Sequence, residues 1–170
     1  MRKINSFLTC VKAFSILAFL SLSFLFPADV AFAKRPPEIR NQEEMKISQD
    51  MHGQDLSGFE FVKFDLRGID FSESDLTGAV FNNSKLKGAD MHSSNMQDAL
   101  AYASDFEEAN LTDVNFTNAL LMESNFSNAQ IEGADFTDAV LSRIQQKELC
   151  SMATGVNSKT GENTSYSLGC

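Results

Sequence analysis

Residues 104–136 read SDFEEANLTDVNFTNALLMESNFSNAQIEGADF. Phe106, Leu111, Phe116, Leu121, Phe126, Ile131 and Phe136 recur at every fifth place, and two places before each stands Ser, Ala or Val. An amphipathic helix repeats at about 3.6 residues and a strand at about 2, so neither template accounts for this spacing. Counted outward, the series runs from Leu56 to Leu141, eighteen consecutive positions of which only Ala101 is small. Nine Phe follow residue 33; seven take the central place, and Phe59 and Phe64 stand two before it. Each Gly between Gly53 and Gly133 stands two after a centre, where a turn needs a left-handed backbone. A chain that keeps this period turns at every repeat. It offers one central and one small side chain to an interior and leaves the rest of the unit to solvent. One unit cannot bury its own face, so the units must stack as a solenoid.

Triplets such as Ala-Asp-Met (89–91), Ala-Asn-Leu (109–111) and Ala-Asp-Phe (134–136) resemble the signature of the pentapeptide-repeat proteins. The resemblance covers about half of the chain, from Leu56 to Ser142. It implies an all-β solenoid, a right-handed quadrilateral β-helix with four units per coil, inward centres and short helical or loop caps at both ends. Positions 20 apart then share a column. The sequence supports this by itself, since Ser84, Ser104 and Ser124 form one series and Ala79, Ala99, Ala119 and Ala139 another. With strands about 4.8 Å apart, the array makes about four and a half coils, roughly 22 Å long. Phe59, Phe64 and Ile69 are large for the small position and are expected to fill the open end of the first coil.

The start of the chain reads as an address. Arg2, Lys3 and Lys12 precede the apolar stretch Ala13 to Phe26; Pro27 breaks it, and Ala31-Phe32-Ala33 supplies a small-x-small cleavage pattern before Lys34. Residues 1–33 are therefore expected to be a signal peptide cut between Ala33 and Lys34, since about 20 apolar residues are needed to span a membrane. Cleavage removes three bases and one acid, taking the net charge from -9 to -11. Residues 34–50 read as an N-terminal flank, 51–142 as the β-helix and 143–170 as a capping helix with a tail. No membrane association is expected after cleavage. A net charge of this sign also argues against a nucleic-acid partner.

Removal of Cys10 leaves Cys150 and Cys170, an even pair that in an exported chain reads first as a disulfide. The tail CSMATGVNSKTGENTSYSLGC (150–170) resembles that of the pentapeptide-repeat proteins of the thylakoid lumen in plants and cyanobacteria. This resemblance implies a bonded, redox-sensitive pair with a thioredoxin-like reductant as partner, and residence in the lumen; a periplasmic protein fits the residues equally. The alternative reading of the pair is an inert staple.

The residue just before each centre faces outward and is normally polar. Val80, Leu100, Leu120 and Val140 break this rule at intervals of 20, and Tyr102 and Met122 join them on the same face. The stripe is a candidate docking surface for a protein partner or a second copy. Otherwise the amphipathic segment Ile144 to Leu149 folds back over it. Between Gly88 and Ser142 there are ten acids and no Lys or Arg, which suits a solvated surface. Some pentapeptide-repeat proteins resemble DNA in shape and charge and inhibit DNA gyrase, but an export signal separates this chain from the chromosome. A protein secreted to act on another cell is a further alternative.

Nothing points to an enzyme, a cofactor or a resident metal. His52 and His92 stand far apart in the chain, and Ser and Asp are abundant because the repeat demands them, so a Ser/His/Asp coincidence is expected. The columns Asp55 with Asp75 and Asp70 with Asp90 could offer carboxylates to Ca²⁺, but the glycine-rich nonapeptide of calcium-binding β-helices is absent. No phosphate loop, CxxC or HExxH occurs. The sequence therefore points to a non-enzymatic, exported binding or scaffold module.

Overall fold

The computed structural model describes residues 49–170. The signal segment, its cleavage point and nearly all of the 34–50 flank lie outside the described residues. From Asp50 to Val140 every fifth residue takes part in parallel bridges: Asp50 with Asp70, Asp55 with Asp75, Glu60 with Val80 and Asp65 with Lys85 begin four ladders. A ladder on each of four walls makes the coil four-sided, and one floor runs from a residue to its bridge partner. The contacts are single bridges, because each wall is too short for a longer strand before the chain turns.

Three backbone bonds per unit join successive floors. The centre N–H donates upward to the carbonyl just before the next centre of its own column (Phe81 to Leu100, 2.7 Å). The N–H two places later also donates upward (Asn83 to Tyr102, 2.9 Å), and the residue before the centre donates downward (Leu100 to Ala79, 2.9 Å). Within a floor, the small residue closes a turn onto the preceding centre, as Ala99 N–H does to Met96 O at 3.1 Å. Every fifth residue from Gly53 to Asp138 has φ between 52° and 71°. A left-handed residue at the third place of a turn is what this geometry demands. Gly fills several of these places, while Glu73, Ala103 and Glu123 take the same conformation despite its cost of about 1–2 kcal/mol per residue. Floor-to-floor bonding therefore outweighs local preference.

The centres point inward and are buried along the stack, Phe71, Phe116, Met96 and Ala101 among them. Because rungs are spaced by the ladder, equivalent rings stack face to face: Phe61 on Phe81 at 4.9 Å and Phe106 on Phe126 at 5.2 Å between centroids. Opposite walls meet edge to face, as in Phe106 against Phe116 at 6.3 Å. Phe64 and Ile69 are buried at the N-terminal end, as their bulk suggests, and Phe59 is half-buried against Phe61.

Not all small positions are equivalent. The buried Ser104 hydroxyl donates to Phe81 O (2.8 Å). In two other turns of the same column the serine one floor up enters the turn itself. The Ser84 hydroxyl accepts Phe64 N–H (3.0 Å) and donates to Phe61 O, and the Ser124 hydroxyl serves Ser104 N–H and Ala101 O likewise. A serine column thus reinforces one corner of the solenoid.

Past the last unit, helix α1 (Arg143–Cys150) starts at Ser142, whose hydroxyl and backbone N–H form a capping box with Gln145. Helix α2 (Thr164–Ser167) follows, capped by Asn163. Among the described residues no helix is long and apolar enough to cross a membrane. Phe106 lies fully buried in mid-stack. Phe106→Ala should therefore cost about 3–5 kcal/mol, read as a lower urea midpoint with little change in slope.

Candidate functional site

Three outward features carry chemistry or contact: the apolar stripe, the polar columns and the disulfide-closed tail. The stripe forms an unbroken ladder, Val80 to Leu100 to Leu120 to Val140, beginning at Glu60. Leu120 (44%), Met122 (43%), Tyr102 (42%) and Val140 (41%) remain exposed, whereas Val80 and Leu100 are half-buried. Val62 extends the apolar wall downward in the column of Tyr102 and Met122, a member the sequence reading missed because polar Asn82 separates it from them. The Glu123 carboxylate beside Tyr102 accepts its hydroxyl and raises its pKa.

The C-terminal segment does not cover this wall. Helix α1 buries Gln145 and Leu149 instead and leaves Ile144 71% exposed. The amphipathic pattern of Ile144 to Leu149 suggested a fold-back, but the capping box aims α1 over the end of the coil. There the Gln145 carboxamide donates to Leu121 O and to Ser124 O, both at 2.8 Å. A further floor would have met the first with a serine hydroxyl, as Ser124 does Ala101 O, and the second with a backbone N–H, as Asn125 does Ser104 O; one side chain stands in for both.

The apolar stripe carries a local cost. On the other walls, Asp or Asn before the centre accepts the N–H two residues on: Asp70 from Ser72 (2.9 Å), Asn115 from Thr117 (3.0 Å), Asp135 from Thr137 (2.9 Å). Ser or Thr at that second place adds its hydroxyl, as Thr117 does to Asn115 (2.6 Å). These bonds hold Asp55 and Asp70 below the ordinary carboxylate range, and Arg67 does so for Asp65. Val and Leu cannot make such a turn. Tyr102 N–H is rescued by Asn82 Oδ1 (2.9 Å) and Ser142 N–H by Gln145 Oε1 (2.9 Å). Met122 N–H has no partner among the described residues.

The candidate metal columns and triads resolve into this turn network. Asp55 and Asp75 take up Ser57 and Thr77, and Asp90 takes up His92 (3.0 Å from Nδ1) and Asn110 (3.0 Å). Among the described residues no group of three or more His, Cys, Asp and Glu is placed to hold a metal ion. His52 Nδ1 lies 2.8 Å from Ser72 Oγ, but that hydroxyl is engaged with Asp70 Oδ1 at 2.5 Å. The serine proton already has the carboxylate, so the imidazole meets Ser72 as a donor and not as a base.

Cys150 and Cys170 are bonded (S–S 2.07 Å, Cα–Cα 5.7 Å) and close the tail into a loop. The tail leans on the corner formed by Ser93, Asp113 and Gly133, whose carbonyls the ladder leaves free. Asn157 Nδ2 donates to Asp113 O (3.1 Å) and Gly133 O (2.9 Å), and Lys159 Nζ reaches Ser93 O (2.5 Å). Thr154 O accepts Gly133 N–H at 2.8 Å, while Ser167 Oγ accepts Phe136 N–H at 3.0 Å. A Cβ on Gly155 would lie 2.7 Å from Gly133 N, so only glycine allows this approach.

Comparison with known proteins agrees with this architecture. The family of pentapeptide repeats matches residues 65–100 and 104–143, in eight copies. The chain belongs to the pentapeptide-repeat proteins, whose fold is the right-handed quadrilateral β-helix and which are generally structural or binding proteins. It is similar to a pentapeptide repeat protein from the Arabidopsis thaliana thylakoid lumen, at 38% identity over 70% of this chain and 90% of that one (TM-score 0.29). It is also similar to one from Nostoc Pcc 7120, at 22% identity over 56% and 76% (TM-score 0.42). A third is QnrB1, a plasmid-mediated fluoroquinolone resistance protein, at 26% identity over 55% and 61% (TM-score 0.33). No curated protein matches the sequence.

Gln145→Ala would leave Ser124 O and the Ser142 N–H without a partner and Leu121 O with the Ser124 N–H alone. It should destabilise the coil by about 2–3 kcal/mol, with faster hydrogen exchange at Leu121 to Phe126 as the local readout.

Proposed function

We propose that this protein is an exported, non-enzymatic scaffold that captures a protein partner through the wall carrying Val80, Leu100, Tyr102, Leu120, Met122 and Val140. The observation that carries this reading is the replacement of turn-forming Asp or Asn by Val or Leu at four successive floors of a single wall. Each replacement forgoes a hydrogen bond worth about 0.5–1.5 kcal/mol and leaves apolar surface in water. A solenoid that needed only to fold would keep the polar residue there, as it does on its other walls.

Export rests on the signal-like segment before Lys34 and on the even cysteine pair. The thylakoid lumen is the compartment favoured by the Leu-Cys…Ser-Leu-Gly-Cys tail, with the bacterial periplasm as the second setting. The tail is held to the coil by bonds that do not involve sulfur, so the disulfide acts as a staple on the cap. Closing a loop of this size contributes about 3 kcal/mol in the chain-entropy model. Reduction with a thioredoxin-like dithiol should lower the melting temperature by several degrees and leave partner capture through the wall intact. Capture that switches off on reduction would instead make the tail the regulated contact.

The wall is tested by Leu120→Asn. This change restores the side chain used on other walls and should cap Met122 N–H, so stability should hold or rise by up to about 1 kcal/mol. Photo-crosslinking from positions beside Leu100 and Leu120 in the native compartment should trap a partner in the parent protein and lose it in the variant. Undiminished crosslinking to the same partner would remove the wall from the interface.

A further inference from the structure

The end of the solenoid is closed only in places: Gln145 takes Ser124 O, Thr154 takes Gly133 N–H and Ser167 takes Phe136 N–H, and the cap leaves open the stretch between the first two. On the wall built over Leu66, Leu86, Phe106 and Phe126, each lower floor is bonded to the one above. Phe106 N–H donates to Asn125 O (2.8 Å), Glu108 N–H to Ser127 O (2.9 Å), and Ala109 O accepts Gln130 N–H (2.9 Å). One floor up, the equivalent groups are Phe126 N–H, Asn128 N–H and Ala129 C=O. None has a hydrogen-bond partner among the described residues. Helix α1 passes beside this edge and leaves a cleft of about 280 Å³ between Phe126 and Asn128 on one side and Glu148, Leu149 and Met152 on the other. Phe126 and Ala129 are each 6% exposed, where Phe106 and Ala109 are fully buried.

We propose that this edge is an addition site for a basic peptide segment of a partner protein that turns once, as a repeat unit does. The three free groups set the occupant's backbone register: two carbonyls two places apart and an N–H three places after the second. That is the pattern Asn125, Ser127 and Gln130 offer one floor lower. Main-chain pairing at an exposed sheet edge supplies affinity, and the adjoining pocket supplies selection. Phe126, Leu149 and Met152 give the cleft an apolar lining for one inward side chain. Among the described residues Glu148 is the one charged group lining it, so a cation in the segment is favoured. The volume lies at the low end of the range for ligand clefts and accommodates a short stretch, not a helix.

The test uses the full mature chain labelled with ¹⁵N and the blocked peptide Ser-Asn-Phe-Lys-Asn-Ala-Gln, which copies residues 124–130 with S127K. Amide shifts should appear at Phe126, Ser127 and Asn128 at millimolar peptide. N-methylation of the peptide's Gln amide removes the donor to Ala129 C=O and should weaken binding about tenfold. Glu148→Lys should also weaken it about tenfold, without changing the free protein's fold. Leu120→Asn should leave this binding unchanged, so failure here and failure of the apolar wall are separately visible. No shifts at these amides, or equal binding of the N-methylated peptide, would overturn the proposal. So would the same shifts arising from protein concentration alone, which would mean that a second copy fills the edge.

Discussion

The structure depends on one constraint: the backbone of each floor must hydrogen-bond to the floor above it. That ladder fixes the rise, and the rise fixes the rest. Rings two floors apart in a column are too far to touch, and those one floor apart have no choice but to stack, as Phe106 and Phe126 do at 5.2 Å. The same constraint holds Glu73, Ala103 and Glu123 in a left-handed conformation that none of them favours. A local misfit of this kind is tolerable because each unit is tied above and below by three bonds. The penalty in any one turn is smaller than what its floor gains from pairing.

Much of this was legible in the sequence, because the ladder writes itself into side-chain type. Inward centres must be apolar, corner residues must tolerate positive φ, and residues of one column must share a size class. Phe116, Gly88 and the Ser84–Ser104–Ser124 series each betray one of these rules. The position after a centre carries information too: Asp70-Phe71-Ser72 and Asn115-Phe116-Thr117 have the spacing of a side chain that turns back to cap its own backbone. What periodicity could not show was how the solenoid ends. Gln145 reads as an ordinary polar residue on an amphipathic helix, yet it is buried and satisfies two carbonyls of the last coil. The capping box makes this possible by fixing the angle at which α1 leaves Ser142. That angle also explains why the helix does not lie over the apolar wall, although its hydrophobic pattern alone would allow it to.

The wall itself poses a conflict between folding and function. Asp or Asn before the centre is favoured by local chemistry, and three walls largely keep it. Val80, Leu100, Leu120 and Val140 abandon it on the fourth, where two of the affected amides must borrow Asn82 and Gln145 as substitute acceptors. An apolar residue placed against local advantage is the pattern on which the proposed docking wall rests. The aligned register matters as much as the composition, since four apolar side chains on adjacent floors merge into a strip that scattered ones would not form.

The open end sharpens this contrast between the two candidate surfaces. A β-solenoid has no natural stopping point, for its last floor presents the same donors and acceptors as every floor below. Here the chain closes part of that edge with parts of unlike chemistry: a carboxamide from Gln145, a carbonyl from Thr154, a hydroxyl from Ser167. The disulfide joins the two ends of the tail that brings Thr154 and Ser167 to the edge, and stands outside the coil. Sealing by borrowed side chains is piecemeal, and the stretch from Phe126 to Ala129 is one it does not reach. As proposed, the wall would select by apolar side chains and the edge by backbone geometry. A partner could therefore engage either one without competing for the other, and a single short solenoid could hold two segments at once.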